Sequence, residues 1–171
     1  MNHCADGHTK KEREKIMLDK PKYGWCNIMV GQNKLGCASY LIDVPTYLLD
    51  VFNQYLSEEN NLNFSAEFDA EGYYFGIMEF NETLYFIRDD TLDGNPVLQE
   101  ISPTLLGLEC FSRADKIIKK LAGELITDIE NNFEDWVYWE DDEELMEPGE
   151  SDNRRMMLRS KINELKEKIH G

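Results

Sequence analysis

Residues 63–88 constrain the fold of this chain most strongly, because apolar and polar side chains alternate there and short turns divide the segment. Residues 63–70 place phenylalanine and alanine on one face and polar or acidic side chains on the other, which is typical of a half-buried strand. Two further strand-like runs, residues 73–80 and 83–88, are joined by a two-residue connection that favours a tight hairpin. The segment therefore predicts an antiparallel meander.

A hairpin and a helix are predicted before the meander. Two apolar runs, residues 25–30 and 35–41, bracket a short turn-forming sequence. Asp43 and Pro45 form a helix start, because aspartate can accept the first amide hydrogens and proline fits the first turn. Apolar side chains then recur every 3.6 residues or so up to about residue 59, which predicts an amphipathic helix.

A long helix is predicted after the meander. Residues 91–107 are rich in glycine and proline and read as a loop with room for one short strand. Ser112 and Asp115 then resemble a capping box, and one apolar stripe follows it. The stripe consists of Ala114, Ile118, Leu121, Ala122, Leu125, Ile126, Ile129 and Phe133. Together these elements predict an α+β fold, with a mainly antiparallel sheet of about five strands, two helices on one face, and the other face partly wet.

The end of the chain is predicted to be a C-terminal amphipathic helix with a narrow apolar seam. The seam consists of Leu158, Ile162, Leu165 and Ile169. Such a seam docks lightly on the body, pairs with a second chain in a homo-oligomer, or frays, and the spacing leaves these alternatives open. We therefore divide the chain into a polar, flexible N-terminal segment (1–22), a single α+β domain (23–139), an acidic linker (140–150) and the C-terminal helix (151–171).

Charge is distributed unevenly along the 171 residues. The chain has 18 Lys and Arg against 34 Asp and Glu, and residues 23–150 hold 6 of the former and 27 of the latter, a net charge of −21. This field repels nucleic acids and anionic membranes, so we expect a basic protein as partner, with no direct contact to nucleic acid or membrane. No apolar run is long enough to span a bilayer, and the first 20 residues lack a signal-peptide core, so we expect a cytoplasmic location.

Side chains suited to catalysis are sparse. The three histidines, His3, His8 and His170, lie near the ends, so the body has no imidazole to activate a nucleophile. The four cysteines show no paired spacing. His3, Cys4 and His8 form one group of metal-ligand types, but it lies in the polar N-terminal segment. We therefore predict no catalytic residue, metal site or cofactor.

One pair of carboxylates suggests an alternative function. Glu67 and Asp69 lie on one face of a predicted strand, about 7 Å apart by strand geometry. A metal-dependent hydrolase can use such a pair as metal ligands or as an acid and a base. However, residues 60–87 contain no Lys or Arg, so a phosphate substrate would be repelled. A solvated sheet face is the simpler interpretation.

Residues 133–150 combine aromatic and acidic side chains more densely than any other segment. The candidate partner-binding residues are Trp136, Tyr138, Trp139, Glu140, Asp141, Asp142, Glu143 and Glu144. Aromatic anchors beside acids are typical of a binding hot spot with a steering rim, so we expect these residues to contact the basic partner. Alternatively, the aromatic residues form the inward face of a strand or helix end, and the acids a solvated loop. A strand would bury one of the two tryptophans and expose the other.

Residues 36–49 read G-C-A-S-Y-L-I-D-V-P-T-Y-L-L, in which a hairpin leads into a helix through an aliphatic-Asp-Val-Pro step. With the meander and long helix that follow, this pattern resembles the small acidic immunity proteins of bacterial toxin systems over roughly residues 23–139. The resemblance implies an α+β inhibitor without catalytic residues that covers the active or nucleic-acid-binding surface of a nuclease toxin. It assigns no functional residue, and the charged leading segment and basic last helix depart from it. An acidic adaptor without a toxin partner is a further alternative.

Overall fold

The computed structural model describes residues 17–31, 33–57, 63–89, 97–139 and 145–171 and confirms the α+β class. No helix within these ranges combines the length and the apolar content needed to cross a bilayer. A short 3-10 helix covers Pro103–Leu106. The strands and α-helices are β1 (Trp25–Val30), β2 (Asn33–Ser39), α1 (Val44–Tyr55), β3 (Ser65–Asp69), β4 (Tyr74–Phe80), β5 (Thr83–Asp89), β6 (Val97–Glu100), α2 (Ala114–Asn131), α3 (Phe133–Val137) and α4 (Glu150–His170).

The strands form two antiparallel sheets instead of the single sheet of about five strands that the sequence predicted. β1 pairs with β2, while β3, β4, β5 and β6 form a separate sheet in sequence order. The reason is that β2 packs face-on against the second sheet. A Cβ atom on Gly36 would lie 2.6 Å from the ring of Phe75, and the Cys37 N–H donates to the Tyr73 hydroxyl at 3.2 Å. Only a glycine lets the hairpin approach this closely.

The predicted meander is confirmed as β3, β4 and β5. Asn81 and Glu82 join β4 to β5, and both have positive φ angles, of 48° and 64°. This left-handed conformation suits a two-residue hairpin because its twist matches that of the strands. The Glu82 N–H donates to the Glu79 carboxylate at 3.0 Å, which holds the turn. β6 is the short strand for which the loop sequence left room.

Aromatic rings join α1 to the inner face of the four-stranded sheet. The ring centroids of Phe52 and Phe64 lie 4.9 Å apart, and Tyr47 meets Phe68 edge-on at 5.6 Å. Phe68 stacks on Phe75 at 5.1 Å. Helix α2 packs mainly against α1, α4 and the 3-10 helix. The two predicted helices therefore lie in successive layers and not side by side on the sheet.

Helix α4 packs on its own chain. Leu158, Ile162 and Leu165 are buried in the same core as the strands, against α1 and α2. The seam that the sequence offered to a second chain is thus occupied within the chain. The Arg154 guanidinium makes two hydrogen bonds to the Asp43 carboxylate, at 2.7 and 2.8 Å, and a third to the Trp136 carbonyl. This basic residue connects the starts of α1 and α4 with the end of α3.

The ordered body begins before the predicted boundary at residue 23. Met17 and Leu18 are fully buried, and Leu18 forms a β-bridge with Ile28. Both residues donate their N–H groups to the Asp128 carboxylate of α2, Leu18 at 2.9 Å. The predicted boundary was wrong because this contact joins residues 110 positions apart in the sequence, which no local pattern shows. Residues 1–16, which include His3, Cys4 and His8, lie outside the described residues, as do residues 140–144 of the predicted linker.

We predict that Arg154→Met destabilises the protein by about 2–4 kcal/mol, because it leaves a mostly buried Asp43 carboxylate without its partner. Lys166→Met is the matched control, since it removes a more exposed ion pair to Glu130 and should cost less than about 1 kcal/mol. Urea denaturation of the two variants measures this difference. Equal losses of unfolding free energy in the two variants would contradict the prediction that the Arg154 ion pair stabilises the fold more.

A second prediction concerns the buried Asp128. Burial raises its pKa to about 6; the N–H groups of Leu18 and Met17 oppose this shift, and the nearby carboxylates of Glu124 and Asp19 add to it. Between about pH 4 and pH 6, the Asp128 carboxyl is therefore protonated in the native state and ionised in the unfolded state. The free energy of unfolding decreases as the pH rises through this range. Asp128→Asn cannot ionise, so its stability relative to wild type should rise by about 1.4 kcal/mol between pH 5.0 and pH 7.5.

Urea denaturation of both proteins at the two pH values tests this, with the surface variant Asp135→Asn as control. If wild type and Asp128→Asn differ in free energy of unfolding by the same amount at both pH values, the raised pKa of the buried carboxyl is contradicted.

Candidate partner-binding surface

The two predicted tryptophan anchors are core residues. Trp136 is 0% exposed and Trp139 is 6% exposed, and their ring centroids lie 5.6 Å apart. A strand would have placed these two residues on opposite faces. Instead, Trp136 lies in α3 and Trp139 follows two residues after α3 ends, and both indoles are buried. Neither is available to a partner in this structure. This corrects the expectation that the aromatic segment presents exposed indoles.

The rest of the predicted segment is held by α4 or lies outside the described residues. Tyr138 is half-buried, and its hydroxyl accepts a hydrogen bond from Arg155 at 2.7 Å. Arg155 also donates to Glu134, and this hydrogen bonding holds the pKa of Glu134 below its usual value. Glu140, Asp141, Asp142, Glu143 and Glu144 lie outside the described residues, so their contact with a partner stays a prediction.

The alternative catalytic pair, Glu67 and Asp69, lies at the edge of the four-stranded sheet. Glu67 is exposed, and Asp69 accepts the N–H of Glu71 at 2.8 Å, which holds the turn after β3. Within the described ranges, no three His, Cys, Asp or Glu side chains come together in a group that could hold a metal ion. The hydrolase alternative therefore gains no support from this geometry and stays untested.

A different surface emerges on the side of the four-stranded sheet that faces away from α1, which we call the outer sheet face. The strand register places Glu67, Gly76, Ile87 and Leu98 in one row across all four strands. The next row holds Ser65, Met78, Tyr85 and Glu100. Tyr74, Phe80 and Leu98 are each more than half exposed. Half-buried Met78, Tyr85 and Ile87 lie between them, so apolar side chains extend across this face, which is characteristic of interaction sites.

Acidic side chains surround the apolar part of the outer sheet face. Tyr74 lies between Asp69 and Asp89 in the register, and Glu67 and Glu100 end the two rows described above. Arg88 is the single Lys or Arg in the described strands of this sheet. It belongs to the inner face, with its guanidinium 4.2 Å from the ring centroid of Tyr73. The outer sheet face is therefore negative and carries no basic side chain of its own.

A shallow depression of about 240 Å³ lies at the middle of the outer sheet face. Gly76 forms its floor, between Glu67, Met78 and Ile87. A Cβ atom at Gly76 would lie only 2.6 Å from the Ala66 carbonyl oxygen, so the strand pairing admits no larger residue there. The missing side chain leaves room for an apolar group from outside.

Sequence reasoning predicted a wet face for this sheet but did not identify it as a binding surface. The signal was present in residues 74–80, where apolar side chains occupy both faces of one strand. A merely solvated face favours polar residues at alternate positions. Tyr74, Met78 and Phe80 occupy those positions instead.

Comparisons with known proteins do not assign this surface. No family model matches the chain, and neither the search of curated proteins nor that of solved structures found a match. The function of the outer sheet face therefore has to be argued from its own chemistry.

Proposed function

We propose that this protein binds a basic protein through its outer sheet face and acts as an immunity-type inhibitor. It would neutralise a partner such as a nuclease toxin by covering the active or nucleic-acid-binding surface of that partner. The observation that carries the proposal is the exposure of Tyr74, Phe80 and Leu98 on a sheet face whose described strands contribute acids and no Lys or Arg.

The centre and the border of this face have different roles in binding. Tyrosine and other aromatic side chains provide a large share of the affinity of a protein interface, because they bury much area in well-packed contacts. Acids at the border accelerate encounter with a positively charged partner and disfavour partners of the same sign. The net charge of −21 over residues 23–150 strengthens this steering.

The combination also fits the kind of surface that an inhibitor of a nuclease has to cover. A nuclease binds phosphates with Lys and Arg and often stacks bases on aromatic side chains. On the outer sheet face, Asp69 and Asp89 flank the Tyr74 ring. Carboxylates beside an exposed ring offer a basic cleft the same two chemical groups, negative charge and a flat apolar surface.

Substitution of Tyr74 tests the proposal, with Tyr40 as a matched control. The two tyrosines are 55% and 54% exposed, and Tyr40 lies directly after β2, away from the outer sheet face. A basic partner is first isolated on the immobilised wild-type chain and purified. Tyr74→Ala should then weaken its binding by about 2 kcal/mol, roughly 30-fold, while Tyr40→Ala changes it less than about twofold.

Urea denaturation of both variants checks that each stays folded, and binding is measured by surface plasmon resonance. Failure of the wild-type chain to retain any basic protein, or equal losses for the two variants, would contradict the proposal.

A further inference from the structure

The edge of the four-stranded sheet at β6 has unpaired backbone groups. The Ile101 N–H donates to the Leu84 carbonyl at 2.8 Å. This bond shows which residues of β6 point their backbone N–H and C=O groups toward β5 and which point them away. Gln99 and Val97 therefore face β5, whereas the N–H and C=O groups of Leu98 and Glu100 point outward. No hydrogen bond between the described residues involves the backbone of Leu98 or Glu100. Within the described residues, two donors and two acceptors are thus unpaired at this edge.

The opposite edge of the same sheet is partly occupied by α1. Glu67 of β3 points its N–H outward, and this group donates to the Tyr47 hydroxyl of α1 at 2.9 Å. The Tyr47 ring also packs edge-on against Phe68 of β3. Among the described residues, the edge at β6 is therefore the more open of the two.

β6 is only four residues long, but no lysine, proline or bulge within it protects the edge. Natural sheets commonly protect such edges with lysine, proline, a bulge or a covering element. The strand reads Val-Leu-Gln-Glu, and all four residues are exposed. An edge of this kind pairs readily with an extended segment of another protein.

We infer that the basic partner contributes an extended segment that pairs with β6 as a fifth strand. This inference rests on the proposed function and adds to it the conformation and charge of the partner. The side chains of Leu98 and Glu100 lie on the outer sheet face, in the rows of Ile87 and Tyr85. An added strand would place its own outward side chains beside them. The segment therefore has an apolar residue next to Leu98 and, two residues away on the same face, Lys or Arg next to Glu100.

A cleft beyond the end of β6 supports the same charge assignment. Its volume is about 520 Å³, and Glu82 and Glu100 form its acidic wall while Pro103 and Phe111 form an apolar one. Arg113 also borders the cleft, but it already pairs with Glu82 at 3.5 Å and with Asp115 at 3.6 Å. A basic side chain at one end of the added strand would find both a carboxylate and apolar surface here.

Amide hydrogen exchange measured by NMR tests the inference, with the eight-residue peptide Val-Thr-Lys-Thr-Val-Thr-Lys-Thr, blocked at both ends, as the probe, because valine and lysine alternate along one of its faces. The Leu98 and Glu100 amides should exchange fast in the free protein and at least tenfold more slowly with the peptide bound. The Val97 and Gln99 amides serve as internal controls, since β5 already protects them. Absence of binding at millimolar peptide in low salt, or binding without slower exchange at Leu98 and Glu100, would overturn the inference.

Two substitutions at one position provide a second measurement. Leu98→Pro removes the outward N–H and leaves the ladder with β5 intact, whereas Leu98→Ala removes the side chain and keeps the N–H. We expect Leu98→Pro to bind the peptide at least tenfold more weakly than Leu98→Ala, and equal affinities would overturn the inference. If Leu98→Pro instead detaches β6, shown by fast exchange at Gln99, the wild-type exchange result decides alone.

The outcomes also separate this inference from the proposed function. Binding of the purified partner that depends on Tyr74 but leaves the Leu98 and Glu100 amides unprotected overturns the edge pairing and keeps the outer sheet face as the site. Binding of the partner that does not depend on Tyr74 overturns the proposed function itself.

Discussion

The ion pair between Arg154 and Asp43 joins the basic helix α4 to the start of α1 in a mostly buried position. Burial alone would raise the pKa of Asp43, but the hydrogen bonds and charge of Arg154, with a contribution from Thr46, hold it below its usual value. Further along α4, Lys161 pairs with Asp50 of α1 and Lys166 with Glu130 of α2. The basic helix thus compensates carboxylates on the helical layers. The carboxylates of the outer sheet face lie on strands whose single Lys or Arg, Arg88, belongs to the inner face, so the outer sheet face keeps a negative charge.

The apolar side chains on the two faces of the four-stranded sheet have different roles. On the inner face, Phe68 and Phe75 stack beneath β2 and α1, and their burial stabilises the fold. On the outer sheet face, Tyr74 and Phe80 belong to the same strand but remain exposed, so folding gains little from them. Side chains of this size that do not stabilise the core are better explained by contact with another molecule. The inner face holds the strands rigid, and that rigidity fixes the geometry of the exposed side chains.

Much of the fold was predictable because local patterns determine it. The alternation in residues 63–70, the Asp43-Pro45 helix start and the stripe from Ala114 each predicted an element that the structure contains. The predictions were wrong where contacts between residues far apart in the sequence determine the structure. The sheets separate because Gly36 fits against Phe75, and residue 17 joins the core because Asp128 accepts its N–H.

The candidate site was harder to predict than the fold. Trp136 and Trp139 looked like anchors because aromatic residues stand beside acids in the sequence, but both are buried, Trp136 within the five-residue helix α3 and Trp139 just after it. Such a short helix leaves too little periodicity to distinguish it from a strand. The outer sheet face depends on the register of four strands, which brings residues as far apart as Glu67 and Leu98 into one row. No local pattern shows that arrangement.

The association rate of charge-neutralised variants tests most directly whether the position of the acids, and not their number, directs binding. One variant carries Glu67→Gln, Asp89→Asn and Glu100→Gln on the outer sheet face. Its control carries Glu147→Gln, Glu164→Gln and Glu167→Gln in and before α4, with the same change in net charge. At low salt, the first variant should bind the purified basic partner at least about tenfold more slowly than wild type, and the control less than about threefold. Equal rates for the two variants would contradict the account.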